Sequence, residues 1–125
     1  MKQAVSTDRA PKPIGPYSQA VKYGDMVFTS GQIPVDPATG RMVEGDIQTQ
    51  TEQVFRNLDA VLSAAGTSLQ NAVKVTVFLA DMADFPKVNE VYARKFEEPF
   101  PARSCVEVSA LPAGARVEIE LVAGS

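Results

Sequence analysis

The chain has 125 residues, of which 45% are hydrophobic and 22% charged, and its formal net charge is −3. These values are typical of a globular protein with one core, so we expect a single domain over residues 1–125. The acidic balance argues against nucleic acid as a partner, and no apolar run is long enough to span a membrane.

Histidine is absent from the sequence, and cysteine occurs once, at Cys105. Without histidine there is no Ser-His-Asp or Cys-His nucleophilic pair and no imidazole to bind a metal. One thiol builds neither a zinc site nor an intrachain disulfide, and it suits a reducing cytoplasm, while residues 1–13 predict no secretory signal. We expect no metal and no cofactor, which leaves the chemistry to carboxylates, Tyr, Arg, Cys, backbone groups and water.

The first 45 residues predict strands and turns but no helix. In chain order they predict a proline-rich extended arm, two strands and a loop, over residues 1–16, 18–23, 26–30 and 31–45. The arm ends in a turn at Gly15-Pro16, and Gly24-Asp25 joins the two strands as a hairpin.

Two helices are predicted by their hydrophobic spacing and their end signals. The first begins after Asp46 as N-cap and ends before Gly66 as C′ residue, with one apolar stripe that faces the core. The second begins near Asp84, and Pro99 ends that run. Its predicted buried side carries four large side chains, Phe85, Val88, Tyr92 and Phe96.

Three further strands are predicted, over residues 73–79, 103–108 and 117–122, which makes the order ββαβαββ. This is an α+β domain in which two helices cover one face of a mixed five- or six-stranded sheet. On the strand 73–79 both faces are apolar, since Val73, Val75, Val77 and Leu79 alternate with Phe78. We expect further copies of the chain to cover the second face, most simply in a closed symmetric ring.

The strand after Pro101 carries a full charge beside the only cysteine. Alternation places Arg103, Cys105 and Glu107 on one face, opposite Ser104, Val106 and Val108. Arg103 is either a surface arginine that lays its stem over the sheet or a planar fork that binds a carboxylate. The strand alone leaves both interpretations open.

Six blocks along the chain resemble the Rid family (reactive intermediate deaminases, also called YjgF), and in particular its RidA branch. The blocks span nearly the whole chain and are GPYSQA, SGQIP, VKVTVFL, VNEVY, PARS and VEIE, beginning at residues 15, 30, 73, 88, 101 and 117. The resemblance implies a chorismate-mutase-like fold and a homotrimer with a central barrel of strands and three clefts between subunits. It also implies hydrolysis of enamine and imine acids, above all 2-aminoacrylate, which dehydratases using pyridoxal phosphate release.

The resemblance also assigns roles to particular residues. It implies that Arg103, which distinguishes the branch, holds the substrate carboxylate, and that Glu118 accepts a hydrogen bond from the iminium or the water. Without the resemblance, the favoured interpretation of Glu118 is a solvated edge carboxylate. The resemblance places Cys105 in the cleft as a lining contact, and the sequence gives no reason to make it a nucleophile.

Two residues near the start of the chain complete the predicted site. Tyr17 offers an aromatic wall and a hydroxyl, or else packs as an ordinary aromatic beside a turn. At Ser30-Gly31 the missing side chain lets backbone groups approach a ligand, although a plain turn also explains Gly31. The catalytic group is thus predicted as Arg103, Glu118 and Tyr17.

A protonated imine is already electrophilic, so water attacks it without a metal or a histidine, and the protein needs only to hold and orient the reactants. Two other functions stay open from the sequence. One is a regulatory module that binds 2-keto acids or amino acids with the same arginine. The other is a ribonuclease or translation inhibitor, against which the acidic charge and the missing histidine count.

Overall fold

The structure is a computed structural model that describes all 125 residues. It contains a six-stranded sheet, a separate two-stranded hairpin, and two helices on one face of the larger sheet. In chain order the elements are β1 (Gln3–Val5), β2 (Ala20–Tyr23), β3 (Met26–Thr29), β4 (Val35–Asp36), β5 (Arg41–Met42), α1 (Ile47–Ala64), β6 (Ala72–Leu79), α2 (Phe85–Ala93), β7 (Ala102–Glu107) and β8 (Val117–Gly124).

The larger sheet is mixed, with the strand order β1-β2-β3-β8-β6-β7. Strands β6 and β7 run parallel, and every other neighbouring pair runs antiparallel. A parallel return needs a crossover, and here α2 supplies it between β6 and β7. The predicted α+β class is confirmed, with six strands and both helices on one face.

Two segments predicted as arm and loop contain additional strands. Strand β1 lies in the predicted arm and pairs with β2 as an edge of the sheet, from Gln3↔Lys22 to Val5↔Ala20. Strands β4 and β5 form the small hairpin inside the predicted loop. Runs of two or three residues are too short to show an alternating pattern, so backbone pairing with a neighbour decides them.

Helix α1 confirms both of its predicted ends. The Asp46 carboxylate accepts a hydrogen bond of 2.8 Å from the Thr49 amide, which caps the first turn. At the other end Gly66 has a φ of +83°. Its amide donates to the Ser63 carbonyl, and the Thr67 amide donates to the Leu62 carbonyl, which completes a Schellman motif.

Helix α2 begins where predicted, with Asp84 as N-cap and Pro86 in its first turn, but it ends at Ala93, well before Pro99. Val88 and Tyr92 are buried as predicted, and Phe96 is buried beyond the helix end. Phe85 is only partly buried and packs against the core. The aromatic cluster therefore continues past the helix, which is why sequence spacing overestimates the helix length.

One strand departs from the predicted alternation. The register of β6 against β8 shifts between Ala72 and Lys74, which makes Val73 the extra residue of a β-bulge. Val73 is 50% exposed, so its predicted place in the core with Val75 and Val77 is wrong. After the bulge, alternation holds and buries Val75, Val77 and Leu79 under the helices.

The core lies between the sheet and the two helices, and the second face of the sheet is uncovered. Several large apolar side chains are exposed on that face, including Tyr23, Phe28 and Val106, which are 60%, 45% and 41% exposed. Neither helix is long and apolar enough to cross a membrane.

Candidate functional site

Arg103 lies at the start of the edge strand β7, where α2 passes over the sheet. Its side chain is exposed, and Nη1 donates a hydrogen bond of 2.7 Å to Oδ1 of Asn89. The guanidinium carbon is 4.7 Å from the ring centroid of Tyr92 and 5.3 Å from that of Phe85, which are cation–π distances. Arg103 forms no ion pair with any carboxylate of the chain.

The βαβ connection explains this arrangement. Strand β7 lies beside β6, with Arg103 opposite Val75, and α2 joins the two strands across the same face. Phe85, Asn89 and Tyr92 are spaced by four and three residues, so they line one side of α2. That side lies beside the first residues of β7, and the Arg103 guanidinium carbon lies over its two rings.

Cys105 shares the face of Arg103, as predicted. It lies opposite Val77 in the sheet and packs, partly buried, against the hydrophobic core. Burial raises the pKa of the Cys105 thiol, and the positive charge of Arg103 offsets only part of that effect. Cys105 is therefore a neutral thiol at physiological pH, which makes it a poor nucleophile. Its side chain can still line a ligand site.

Glu118 lies on the other, uncovered face. It pairs with Phe78 in the sheet, and Phe78 in turn pairs with Val106, so the three side chains share that face. Burial raises the pKa of the Glu118 carboxyl, and the negative charge of Glu120 raises it further. Glu118 is thus a stronger base than an exposed glutamate, and it has no cation to neutralise it.

Gly31 lies directly under the Glu118 side chain. A Cβ at this position would overlap the Glu118 carboxylate, so a larger residue would force the Glu118 side chain to move from this position. The next residue, Gln32, exchanges two backbone hydrogen bonds with Ile119, of 2.9 and 3.1 Å, which fixes the loop against β8. The Gly31 amide itself donates to no group of the chain.

Ser30 and Tyr17 are both connected to this loop. The Ser30 hydroxyl donates a hydrogen bond of 2.6 Å to the Ser18 carbonyl, so it holds the chain in place and has its proton engaged. Tyr17 is 50% exposed and lines, together with Gly31, a cavity of about 350 Å³. A wider surface depression of about 550 Å³, beside Arg9 and Arg56, contains none of the predicted site residues.

The predicted site residues therefore form two groups on opposite faces of the sheet. Arg103 and Cys105 lie on the face that the helices cover, at its edge, and Gly31 and Glu118 lie on the uncovered face. A single chain does not bring the two groups together.

Sequence reasoning missed the polar side chains that position these groups. Gln19 is almost fully buried, and its amide nitrogen donates to the carbonyls of Thr7, Ala10 and Pro11, which ties the arm beside Tyr17. It belongs to the GPYSQA block, but nothing in its sequence context indicates burial.

Helix α1 contributes a second buried polar group. Asn57, with no exposed surface, donates to the carbonyls of Ile33 and Val35 and accepts from Gln53, which anchors the loop after Gly31. The sequence signal that could have indicated its burial is the position of this amide within the apolar stripe of α1. No three His, Cys, Asp or Glu side chains come together as they would around a metal ion.

The chain is similar to proteins that carry several different names. Residues 7–125 match the family model described as Endoribonuclease L-PSP. A RutC family protein of Pyrococcus horikoshii is 58% identical over 98% of each chain. The chloroplastic Reactive Intermediate Deaminase A of Arabidopsis thaliana is 48% identical over 98% of this chain and 65% of its own. The mouse 2-iminobutanoate/2-iminopropanoate deaminase is 46% identical over 98% and 91%.

Solved structures match the fold over almost its whole length. A conserved Rid family protein of Yersinia pestis superposes with a TM-score of 0.97, at 51% identity and with both chains fully covered. RidA of an Antarctic Psychrobacter gives 0.94 at 48% identity, covering 98% of this chain and 99% of its own. Escherichia coli TdcF, solved with bound serine, gives 0.92 at 44% identity, covering 98% of each chain.

Proposed function

The chain belongs to the Rid (YjgF) family, and from that premise we propose that it is an imine deaminase. Its substrates are 2-imino acids and their enamine tautomers, such as 2-aminoacrylate and 2-iminobutanoate, and its products are 2-keto acids and ammonia. The names of the Arabidopsis and mouse relatives support this reaction class. The residues of this chain supply the chemical reasons.

The observation that carries the proposal is the free guanidinium of Arg103. The guanidinium of Arg103 lies over the Tyr92 ring and has no acidic partner in the chain. A planar fork of N–H donors fits a carboxylate at two points, and a 2-imino acid carries that carboxylate next to the reacting carbon. Arg103 thereby sets the position of the C=N bond.

The reaction then needs a water molecule and a proton acceptor. Water attacks the carbon of the protonated imine as Glu118 takes one of its protons, and the amino group of the resulting carbinolamine then takes up that proton from Glu118. The C–N bond breaks, and ammonia leaves as the hydroxyl proton passes back to Glu118 and the C=O bond of the keto acid forms. Glu118 accepts a hydrogen bond from the iminium or the attacking water, and its raised pKa suits a base that gains a proton in this step. The Gly31 amide offers a donor to substrate oxygen.

The remaining predicted residues shape the cleft. Tyr17 supplies a ring wall and a hydroxyl, and Ser30 keeps the Gly31 loop in position through Ser18. Cys105 lines the side of Arg103 as a neutral thiol, and water is the nucleophile. In this proposal the protein uses no metal and no cofactor.

The proposal includes a homotrimer with clefts between subunits. The separation of Arg103 from Glu118 supports it, because each cleft then takes its cation from one copy and its carboxylate from the next. The exposed Tyr23, Phe28 and Val106 support it as well, since an apolar sheet face of this kind is normally buried by association. Mass photometry should report three chains, and a stable monomer at micromolar concentration would contradict the shared cleft.

The functional partners follow from the substrate. Dehydratases that use pyridoxal phosphate release enamines, and a deaminase acting in the cytoplasm would clear them. The direct test couples a dehydratase that makes 2-aminoacrylate to this protein and records keto-acid release. Added protein should accelerate the release above the spontaneous rate, and Arg103→Ala protein should not.

A ribonuclease is the second candidate, because the matching family model carries that description. The net charge of −3 and the absence of histidine count against it here. A regulatory binding module is the third, and the serine bound to TdcF keeps it open for the family. Titration of RNA binding with salt tests the ribonuclease candidate. Turnover in the coupled assay distinguishes an enzyme from a regulatory binding module.

A further inference from the structure

The Arg103 side chain is held from two directions by α2. The guanidinium carbon lies over the rings of Tyr92 and Phe85, and Asn89 accepts a hydrogen bond from Nη1. This is the one hydrogen bond that the Arg103 side chain makes within the chain. The contact is short, at 2.7 Å, although Arg103 itself is exposed.

The aromatic support is rigid because it belongs to the core. Tyr92 is buried, and its ring packs at 4.6 Å from the centroid of Phe96 and at 6.1 Å from that of Phe55. A cation–π contact holds the guanidinium over the ring, but it does not fix which N–H groups point in which direction. A directional contact at the rim is needed to fix that orientation.

Asn89 supplies this directional contact. A guanidinium has only donors, so the side-chain oxygen of Asn89 must face it, and Nη1 is the nitrogen bound. The Nε and Nη2 donors, which point side by side from the opposite edge, have no partner in the chain. Two parallel N–H groups on one edge are the arrangement that a carboxylate accepts at both oxygens.

We propose that Asn89 is a positioning residue that locks Arg103 by its Nη1 atom and so presents the Nε–Nη2 edge to the substrate carboxylate. The inference rests on the proposed function, in which Arg103 binds that carboxylate. An amide suits the role better than an acid. A carboxylate at position 89 would pair with Arg103 and neutralise the positive charge that the substrate carboxylate needs.

Two substitutions separate positioning from a general structural role. Asn89→Ala removes the lock, and we expect KM for the imine to rise about five-fold, the effect of one ordinary hydrogen bond, with a smaller change in kcat. Asn89→Asp keeps the shape and adds a competing charge, so KM should rise at least about ten-fold. Asn71→Ala is the matched control. It also deletes one exposed hydrogen bond of an asparagine side chain, to Thr67, but Asn71 is distant in sequence from Arg103 and shares no hydrogen bond with it.

A readout independent of turnover completes the test. The side-chain ¹⁵Nε–H resonance of Arg103, assigned by its loss in Arg103→Ala, should be sharp in the unmodified protein and broadened in Asn89→Ala. Binding of 2-oxobutanoate, measured by calorimetry, should weaken in both Asn89 variants and not in Asn71→Ala.

The outcomes distinguish the two levels of the proposal. If Arg103→Ala retains full activity and binding, the proposed site is wrong. If Arg103→Ala is inactive while both Asn89 variants keep the unmodified KM, affinity and resonance, the site stands and the positioning role of Asn89 is overturned. A loss of kcat in Asn89→Ala with unchanged KM and unchanged 2-oxobutanoate affinity would also overturn it.

Discussion

The two faces of the sheet present opposite charges in different ways. On the helix-covered side, Arg103 rests on a buried aromatic ring and is held at its rim by Asn89 before any ligand arrives. On the uncovered side, Glu118 lies over Gly31 with no cation nearby, and its pKa is raised by burial and by Glu120. Arg103 is thus held in position by side chains of its own chain. Glu118 has no counter-charge within the chain, so only a ligand or a second subunit can supply one.

In the proposed cleft between subunits, this difference divides the work of the site between two copies of the chain. A cation can be stacked and oriented by a helix from the same chain, at little electrostatic cost near solvent. A carboxylate with a raised pKa on an apolar face is unfavourable alone and becomes useful when a cationic substrate and a second subunit enclose it. The comparison yields four predictions, from the largest expected effect to the smallest.

Removing the organised cation should have the largest effect. We expect Arg103→Ala to lower kcat/KM by about 100-fold, because a two-point charge-assisted contact is lost, and the fold to persist because the side chain is exposed. Arg103→Lys should fail almost as badly, since an ammonium does not reproduce a planar fork. The coupled imine-hydrolysis assay measures both, with circular dichroism as control. Near-normal activity in Arg103→Ala would contradict the site.

Mixing two damaged proteins should restore part of that loss. If each cleft combines Arg103 of one copy with Glu118 of another, inactive Arg103→Ala and Glu118→Gln proteins should complement each other after subunit exchange. Random mixing of equal amounts leaves about one quarter of the clefts with both groups intact. Activity that stays at the level of the separate variants, with exchange confirmed by mass spectrometry, would place both groups in one chain's site.

The uncovered carboxylate should control the acid limb of the pH profile. Activity that needs ionised Glu118 falls as pH drops through its pKa, and this pKa lies above the ordinary value for glutamate. Removing the neighbouring charge in Glu120→Gln should lower the pKa of Glu118 and move the acid limb of kcat/KM to lower pH.

The matched control for the pH profile is Asp59→Asn, which makes the same change in net charge beside the depression that contains no site residue. An acid limb that stays in place in Glu120→Gln, or that moves equally in both variants, would show that Glu118 does not set it.

Replacing the thiol should have the smallest effect. Burial raises the pKa of Cys105, so a thiolate nucleophile is disfavoured, and a small side chain at this position should suffice. We expect Cys105→Ala to keep a substantial part of the activity, with a modest change in KM from altered packing. An inactive Cys105→Ala beside an active Glu118→Gln, each folded and assembled, would make the cysteine the catalyst.

Much of the local structure was predictable because short-range chemistry decides it. The ends of α1 follow from the Asp46 carboxylate and the positive φ of Gly66, both readable as residue types. The hairpin between β2 and β3 follows from Gly24-Asp25. Period-two alternation likewise places Arg103 with Cys105, and Glu118 with Glu120, on common faces of their strands.

Only the tertiary structure decided how those faces relate to one another. Alternation states which residues share a face, but the register between strands decides that Arg103 lies on the helix side and Glu118 on the uncovered side. The bulge at Val73, the edge strand β1, and the contact of Asn89 with Arg103 likewise depend on pairings between distant segments. Such contacts arise from competition among alternative packings of the whole chain, which no local pattern records.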